Sequence, residues 1–332
     1  EIHKRRRWRD ILKGAHDVFG DDFRFLVTGS ARLDLFRKAG DALTGRYSLF
    51  HMMPLSIGEV TRHIPADCFL EKGDPGRLGG AFERQISGGR SAPARKAFES
   101  LWRFGPFPEP FLRQGDRFSH KWHLDYLSLI VREEMKDLTR IVELDKIEQL
   151  LFLLPSRLMS PLSMPGLSRD LEVAHTTVKA WLGALRGLYM IFPVPPWSRK
   201  IARGLRKEKK WYFLDWAYAP EGPARLENMV ASCLYRACRV LTDMGCGAYA
   251  LHYVRTLDRR EIDFVVSMDG KPVMAVEVKS GDLSLSRTLG QRHGWLGAAT
   301  LGVQVVDRKD VLQKHPGVTW VVSVDRFLAM LV

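Results

Sequence analysis

The chain has 332 residues, enough for two or three domains of ordinary size, and its 45% content of hydrophobic residues is enough for buried cores. Its formal net charge of +13 indicates a polyanionic partner, and because no apolar run is long enough to span a membrane, nucleic acid is favoured over a lipid surface. The four cysteines form no Cys-x-x-Cys pair and have no histidine at zinc spacing, which excludes an obvious structural zinc site and favours a reduced, cytoplasmic setting.

The first part of the chain predicts an α/β unit. Residues 1–20 carry apolar side chains at helical spacing, residues 23–28 alternate as a strand does, and a helix is expected over about 31–38 after the Gly29-Ser30 turn. The chain begins at Glu1 rather than at a methionine, so we expect a fragment of a longer protein.

The run FRFLVTGSARLDLFRKAGDALTGRYSLFHMMPLSIGEV resembles the second half of the P-loop ATPase core in a large prokaryotic family of AAA-type ATPases with a C-terminal domain of unknown function. The resemblance implies that Glu1 is the water-activating glutamate that follows the Walker B aspartate, that Ser30 or Thr28 is the sensor and that Arg46 faces a phosphate. It also implies assembly into an oligomer through the ATPase core.

The phosphate-binding motif of such ATPases is absent from this sequence. No G-x-x-x-x-G-K-[ST] occurs in it, so the backbone cradle and the lysine that hold the β and γ phosphates are missing. We therefore expect ATP to be a cofactor of the full-length protein only, and this chain not to hydrolyse it.

The middle of the chain is predicted to be mainly helical. Glycines and prolines between residues 65 and 120 indicate an insertion that leads to a helical lid, and residues 122–154 carry two apolar helical stripes. A short helix over 167–173 capped by Ser168, a turn at Ala174-His175 and a helix over 176–188 follow the rhythm of a helix-turn-helix, with 190–197 as the wing of a winged helix. Such a unit serves either DNA contact or protein–protein packing.

A dense basic tract follows this unit. Its cations suit neutralisation of a phosphate backbone, which needs positive charge but no reading of sequence, although a solvated loop has the same composition. The nucleic-acid-binding candidates are Lys179 on the second helix and, in the tract, Arg199, Lys200, Arg203, Arg206, Lys207, Lys209 and Lys210.

Two β-rich runs near the C-terminus carry acids where a half-buried strand is normally apolar. Strand alternation puts Ile262 and Phe264 on one face and Asp263 on the other, while Glu277 and Lys279 share a face of the second run. Two carboxylates and a lysine on one side of a hairpin are the layout that holds a divalent metal.

The order of elements around these strands resembles the PD-(D/E)xK nuclease fold. A helix with an acid in its first turns precedes a strand, a strand with aspartate and a strand with Glu-x-Lys. The resemblance implies that Glu227 is the helix acid, that Asp263 and Glu277 bind the metal, expected to be Mg²⁺, and that Lys279 lies beside them. In this chemistry the metal activates a water and neutralises charge on the phosphate, while the lysine orients the nucleophile.

The register of the hairpin decides whether this site can form. With a two-residue turn at Asp269-Gly270, the two residue numbers of every directly facing pair add up to 539, so that Asp263 faces Val276. Only a total of 540 puts Asp263 opposite Glu277, which requires a three-residue loop over 269–271 or a bulge in one strand.

The sequence thus predicts an α/β protein with an incomplete P-loop ATPase core (1–64), an insertion and helical lid (65–155), a winged-helix segment (156–198) and a nuclease-like domain (199–332). The expected function is metal-dependent phosphodiester cleavage of nucleic acid, with DNA favoured, coupled to ATP in the full-length protein. The alternative is a non-catalytic nucleic-acid-binding or protein-interaction switch that retains the nuclease-like domain as an inactive scaffold.

Overall fold

The computed structural model describes most of the chain, with gaps. The described residues are 7–20, 22–29, 47–62, 68–73, 75–88, 91–135, 144–157, 160–198, 208–256 and 260–332. Glu1, Ser30, Arg46 and the helix expected over 31–38 lie outside them.

Two of the predicted N-terminal elements fall on described residues, and one of them forms. The amphipathic helix forms as α1 (Trp8–Phe19). The strand expected over 23–28 does not form: these residues have no regular structure and are exposed. A strand is stable only beside a pairing partner, and no described residue supplies one here.

Three helices of the first half belong to the main hydrophobic core beside the C-terminal sheet. They are α2 (Ile57–Val60), α3 (Pro75–Gly88) and α4 (Ser91–Phe104). The ring of Phe82 in α3 lies 5.8 Å from that of Trp320 in the sheet. Helices α3 and α4, expected to belong to an insertion, therefore contribute to the main hydrophobic core.

A second core lies among the following helices and two strands. After α5 (Pro108–Arg113), α6 (Asp116–Leu129) continues into a π-turn, and α7 (Leu144–Leu153) packs against it. Helix α8 (Met164–Asp170) is capped by Ser163 and not, as predicted, by Ser168, whose hydroxyl donates to the Val173 carbonyl.

The helix-turn-helix order is present. Helix α9 (His175–Gly187) follows α8 after a short turn and leads to β1 (Ile191–Val194), which pairs antiparallel with β2 (Lys210–Phe213). The assignment of this unit as a winged helix stays a prediction.

The C-terminal part is a mixed α/β layer structure. Helix α10 (Pro223–Asp243) covers a six-stranded sheet of order β3-β4-β5-β6-β8-β7, in which β5, β6 and β8 run parallel and the other neighbours antiparallel. Short helices α11 (Arg287–Gly290) and α12 (His293–Leu296) connect β5 to β6, and α13 (Val324–Leu328) follows β8. The strands are β3 (Tyr249–Arg255), β4 (Glu261–Met268), β5 (Lys271–Lys279), β6 (Leu301–Val306), β7 (Leu312–His315) and β8 (Thr319–Ser323).

The helix and three strands from α10 to β5 follow the order expected from the nuclease resemblance; the assignment to that fold stays a prediction. Every helix in the described ranges is too short or too polar to span a bilayer.

Candidate active site

The hairpin of β4 and β5 has the register that the site needs, and it reaches that register through a bulge. Its turn has two residues, Asp269 and Gly270, both with positive φ, so of the two alternatives that the sequence left open the bulge is present and the three-residue loop is not. The numbers of opposed residues total 539 next to this turn. Beyond an irregularity after Val266 they total 540, as in the pair Phe264↔Val276. Continuing that register brings Asp263 opposite Glu277.

A second irregularity lies on the other side of β4. Between two regular stretches of the β3–β4 ladder, Asp263 and Phe264 together face Tyr253, so β4 carries an extra residue there. Ile262 consequently packs in a small cluster with Val265, while Phe264 belongs to the main core. The predicted sharing of one face by Ile262 and Phe264 is therefore wrong, because the bulge shifts the alternation at Asp263.

The two predicted metal-binding carboxylates lie where β4 and β5 diverge. Asp263 Oδ2 accepts a hydrogen bond of 2.8 Å from the Val278 amide, which holds this carboxylate between the two strands. Glu277 is 5% exposed, and its Oε1 lies 2.9 Å from Nζ of Lys279. Its other oxygen, Oε2, is buried without a hydrogen-bond donor among the described residues.

Electrostatics show that these groups act on one another. Burial raises the pKa of Asp263 well above its usual range, and repulsion from Glu277 and Glu227 adds to the effect. Burial also raises the pKa of Glu277, against the attraction of Lys279. Burial lowers the pKa of Lys279, but the hydrogen bond to Glu277 outweighs this, so its net pKa is raised and it stays protonated. The site is thus short of positive charge.

Helix α10 brings the fourth predicted residue to the same cluster. Glu227 is buried, and its Oε1 accepts a hydrogen bond of 2.6 Å from the Tyr212 hydroxyl and lies 3.5 Å from Nζ of Lys210. The Lys210 ammonium also makes a short ion pair with Glu261. Asp263 is thus within electrostatic reach of both Glu277 and Glu227, and Lys279 lies beside Glu277; the catalytic roles expected of these four residues stay a prediction.

Lys210 is part of this acidic cluster, a role that its place in the basic tract did not predict. Its side chain is 1% exposed and points at carboxylates, so in this conformation it cannot contact a nucleic-acid phosphate, and the prediction that it binds nucleic acid is corrected. A usable signal exists: Lys210 and Tyr212 lie two residues apart on β2 and so share the face that meets Glu227.

The other predicted nucleic-acid contacts are only partly described. Lys179 is exposed on α9 and Lys209 is half-buried just before β2. Arg199, Lys200, Arg203, Arg206 and Lys207 lie outside the described residues.

A separate buried pair connects the middle helices to the C-terminal part. Nε2 of His123 lies 2.9 Å from Oδ2 of Asp215, and Oδ1 of Asp215 caps a short turn by accepting from the Ala217 amide. Asp215 is therefore the N-cap of the short helix that follows it.

The carboxylates fit a hard divalent cation in part. Glu277 Oε2 has no donor, Asp263 and Glu277 repel each other, and oxygen ligands of this kind suit Mg²⁺ or Mn²⁺ with water in the remaining positions. Within the described ranges, no group of three or more His, Cys, Asp or Glu side chains is arranged as a complete metal site.

Comparison with known proteins gives two family matches and distant relatives. Residues 1–61 match the model of an AAA domain, and residues 95–220 match that of a domain of unknown function, DUF8612. Uncharacterized protein Rv2008c of Mycobacterium tuberculosis and uncharacterized protein Mb2031c of Mycobacterium bovis are each 23% identical over 281 residues, which is 80% of this chain and 54% of each relative.

This chain thus spans about half the length of the curated relatives it matches. No solved structure matches it significantly. The comparisons support an AAA domain at the N-terminus followed by a domain of unknown function, and neither family match reaches the strands that carry Asp263 and Glu277.

Proposed function

We propose that this chain carries a metal-dependent phosphodiesterase site that acts on nucleic acid, within a longer ATP-dependent protein. The observation that carries the proposal is the meeting of two buried carboxylates, Asp263 and Glu277, with the partly exposed ammonium of Lys279 beside them. Buried like charges cost folding free energy, and such arrangements cluster at functional sites.

Each residue has a defined task in this proposal. Asp263 and Glu277 would hold one Mg²⁺, the first kept in place by the Val278 amide and the second by its ion pair with Lys279. The ion, when bound, lowers the pKa of a water and offsets charge on the phosphate. The Lys279 side chain is 39% exposed, so its ammonium can reach a phosphate oxygen or hold the attacking water.

Nucleic acid is the proposed substrate because of charge and position. The chain has a net charge of +13, and the basic tract over 199–210 ends at the site. The Tyr253 hydroxyl donates to the carbonyl of Glu208 at 2.9 Å, which fixes the end of this tract against β3. Cations placed there would hold the phosphate backbone next to Asp263 without reading its sequence, and DNA is the proposed form.

The remaining parts of the proposal concern the full-length protein. The AAA-domain match favours ATP binding and assembly into an oligomer there, and the proposed location is the cytoplasm. In this chain the phosphate-binding loop motif is absent, so no ATP hydrolysis is proposed for it.

One observation favours the non-catalytic alternative. The acidic cluster already contains a buried cation, Lys210, which offsets part of its charge without any metal. A nuclease-like scaffold that only binds nucleic acid or a protein partner would need nothing more.

Plasmid nicking separates the two functions. Supercoiled DNA is incubated with the chain and Mn²⁺ or Mg²⁺, and Asp263→Asn and Glu277→Gln are compared with Asp310→Asn, which changes an exposed aspartate of the same domain. We expect nicking by the wild type and Asp310→Asn only. Equal nicking by all four proteins, or none by any, refutes the nuclease proposal.

A further inference from the structure

We infer that Lys210 is a built-in counter-cation of this site, so that the site takes a single divalent ion between Asp263 and Glu277 and Glu227 serves as a positioning residue and not as a metal ligand. The inference rests on the proposed function and specifies the charge and the number of ions that the site accepts.

The cluster divides into two halves by its cations. Lys279 pairs with Glu277 on the exposed side, where the side chain of the lysine is 39% accessible. Lys210 pairs with Glu227 and Glu261 on the buried side. Asp263 is tied to the exposed half by the Val278 amide, which donates to its Oδ2 at 2.8 Å, and its carboxylate also experiences the charges of Glu227 and Lys210.

The buried half is already satisfied. Oε1 of Glu227 has two donors, the hydroxyl of Tyr212 at 2.6 Å and the ammonium of Lys210 at 3.5 Å. A divalent ion that used Glu227 would compete with both, and its charge would repel the ammonium. The exposed half differs, because Glu277 Oε2 has no donor within the described part of the chain. A single incoming ion is therefore directed to Glu277 and Asp263.

Lys210 is held where it is by its surroundings. It lies on β2, pairs in register with Val194 of β1, and its ammonium lies 5.5 Å from the centre of the Tyr253 ring. Burial lowers the pKa of Lys210, but the attraction of Glu227 and Glu261 outweighs this and raises its net pKa. Lys210 therefore stays positively charged within the cluster. A metal ion that took its place would have to move the ammonium into solvent or leave it buried without a carboxylate partner.

The test is a rescue experiment that measures Mn²⁺ affinity by isothermal titration. Glu227→Gln removes one of the two carboxylates that neutralise Lys210, so more of its positive charge acts on Asp263, and we expect Mn²⁺ to bind about tenfold more weakly. Lys210→Met combined with Glu227→Gln removes both charges, and affinity is expected to return to within about threefold of wild type, with one Mn²⁺ per chain. Glu221→Gln, which alters an exposed glutamate just before the same helix, is the control.

The outcomes separate this inference from the proposed function. If the double variant binds as weakly as Glu227→Gln, or if wild type binds two ions, Glu227 is a ligand and the inference is wrong, while Mn²⁺-dependent nicking keeps the function. If no protein binds Mn²⁺ and none nicks, both fail. Urea unfolding checks that each variant folds, and Lys210→Met alone serves if the double variant does not: weaker Mn²⁺ binding than wild type would then overturn the inference.

Discussion

Asp263→Asn is expected to stabilise the metal-free chain and to remove its stabilisation by metal. The asparagine keeps a side-chain oxygen that can accept from the Val278 amide, so the contact at 2.8 Å survives. What disappears is a negative charge that burial and the repulsion of Glu277 and Glu227 make costly. Without a bound metal ion, this buried negative charge only destabilises the folded state.

The sign and size follow from linkage. The pKa of Asp263 is raised by folding, so at neutral pH the ionised carboxylate opposes the folded state. Removal of such a functional strain typically gains about 0.5–2 kcal/mol. In the presence of metal the wild type gains about 2.7 kcal/mol at a concentration of 100 times Kd, and the variant gains almost none. The order of stability is therefore expected to reverse between the two conditions.

Urea unfolding in EDTA and in excess Mn²⁺ measures both differences on the same proteins. Asp310→Asn, at an exposed position, controls for the loss of one carboxylate and is expected to leave the wild-type response to Mn²⁺ unchanged. A variant that is less stable than wild type in EDTA, or that gains as much from Mn²⁺, contradicts the reasoning.

Three further predictions concern single groups. Burial lowers the pKa of His252 to about 4, so between pH 7 and 5 its imidazole stays neutral in the folded protein while it takes up a proton in the unfolded chain. Over this range we expect the free energy of unfolding, measured with urea, to fall by about 2 kcal/mol, and we expect this fall to be absent from His252→Gln. Burial lowers the pKa of His123, but the attraction of Asp215 outweighs this and raises its net pKa. The ion pair therefore stabilises the folded state fully below the pKa of histidine in the unfolded chain, and this stabilisation is lost as the pH rises through the pKa of the folded state. Asp215→Asn should lower the free energy of unfolding by about 1–3 kcal/mol, and by more at pH 6 than at pH 9. Lys279→Met should lower the nicking rate by about 100-fold or more without weakening Mn²⁺ binding, and a wild-type rate would exclude Lys279 from the chemistry.

The sequence predicted the parts of the site that depend on composition and order. Helix α10 and strands β3 to β5 agree with the structure, and the charges of Glu227 and Glu277 both act on Asp263, because apolar periodicity and acidic positions survive local irregularities. The strand expected over 23–28 failed, since pattern alone does not reveal whether a pairing partner exists.

Lys210 shows a different limit. Seven basic residues in twelve look like a single solvated tract, yet the last of them enters β2 and is buried among acids. Whether a lysine meets water or carboxylates depends on residues far away in the chain, here Glu227 and Glu261. Counting the charges in a short stretch of sequence cannot distinguish a solvated lysine from one that is buried against carboxylates.

Helix α10 also connects the candidate site to the end of the AAA-domain match. Its first turns carry Glu227, while near its other end Asp243 accepts from the backbone amide of His51 at 2.9 Å, and Arg236 donates to the carbonyl of Pro54 and pairs with Glu59. At about 1.5 Å per residue, Arg236 lies about 14 Å and Asp243 about 24 Å from Glu227 along one continuous helix. The last residues of the match are thus attached to the element that positions the helix acid.

The two bulges decide whether these residues form a site at all. A strand pattern places side chains by parity, and the two-residue turn at Asp269-Gly270 would by itself put Asp263 opposite Val276. The extra residue in β5, near the turn, shifts the register to one whose continuation places Asp263 opposite Glu277, and the extra residue in β4 changes the alternation at Asp263. The irregularity in β4 adjoins Asp263 itself, as bulges that redirect functional side chains commonly do. The sequence states which groups are available, but these local departures from regular pairing determine that they meet.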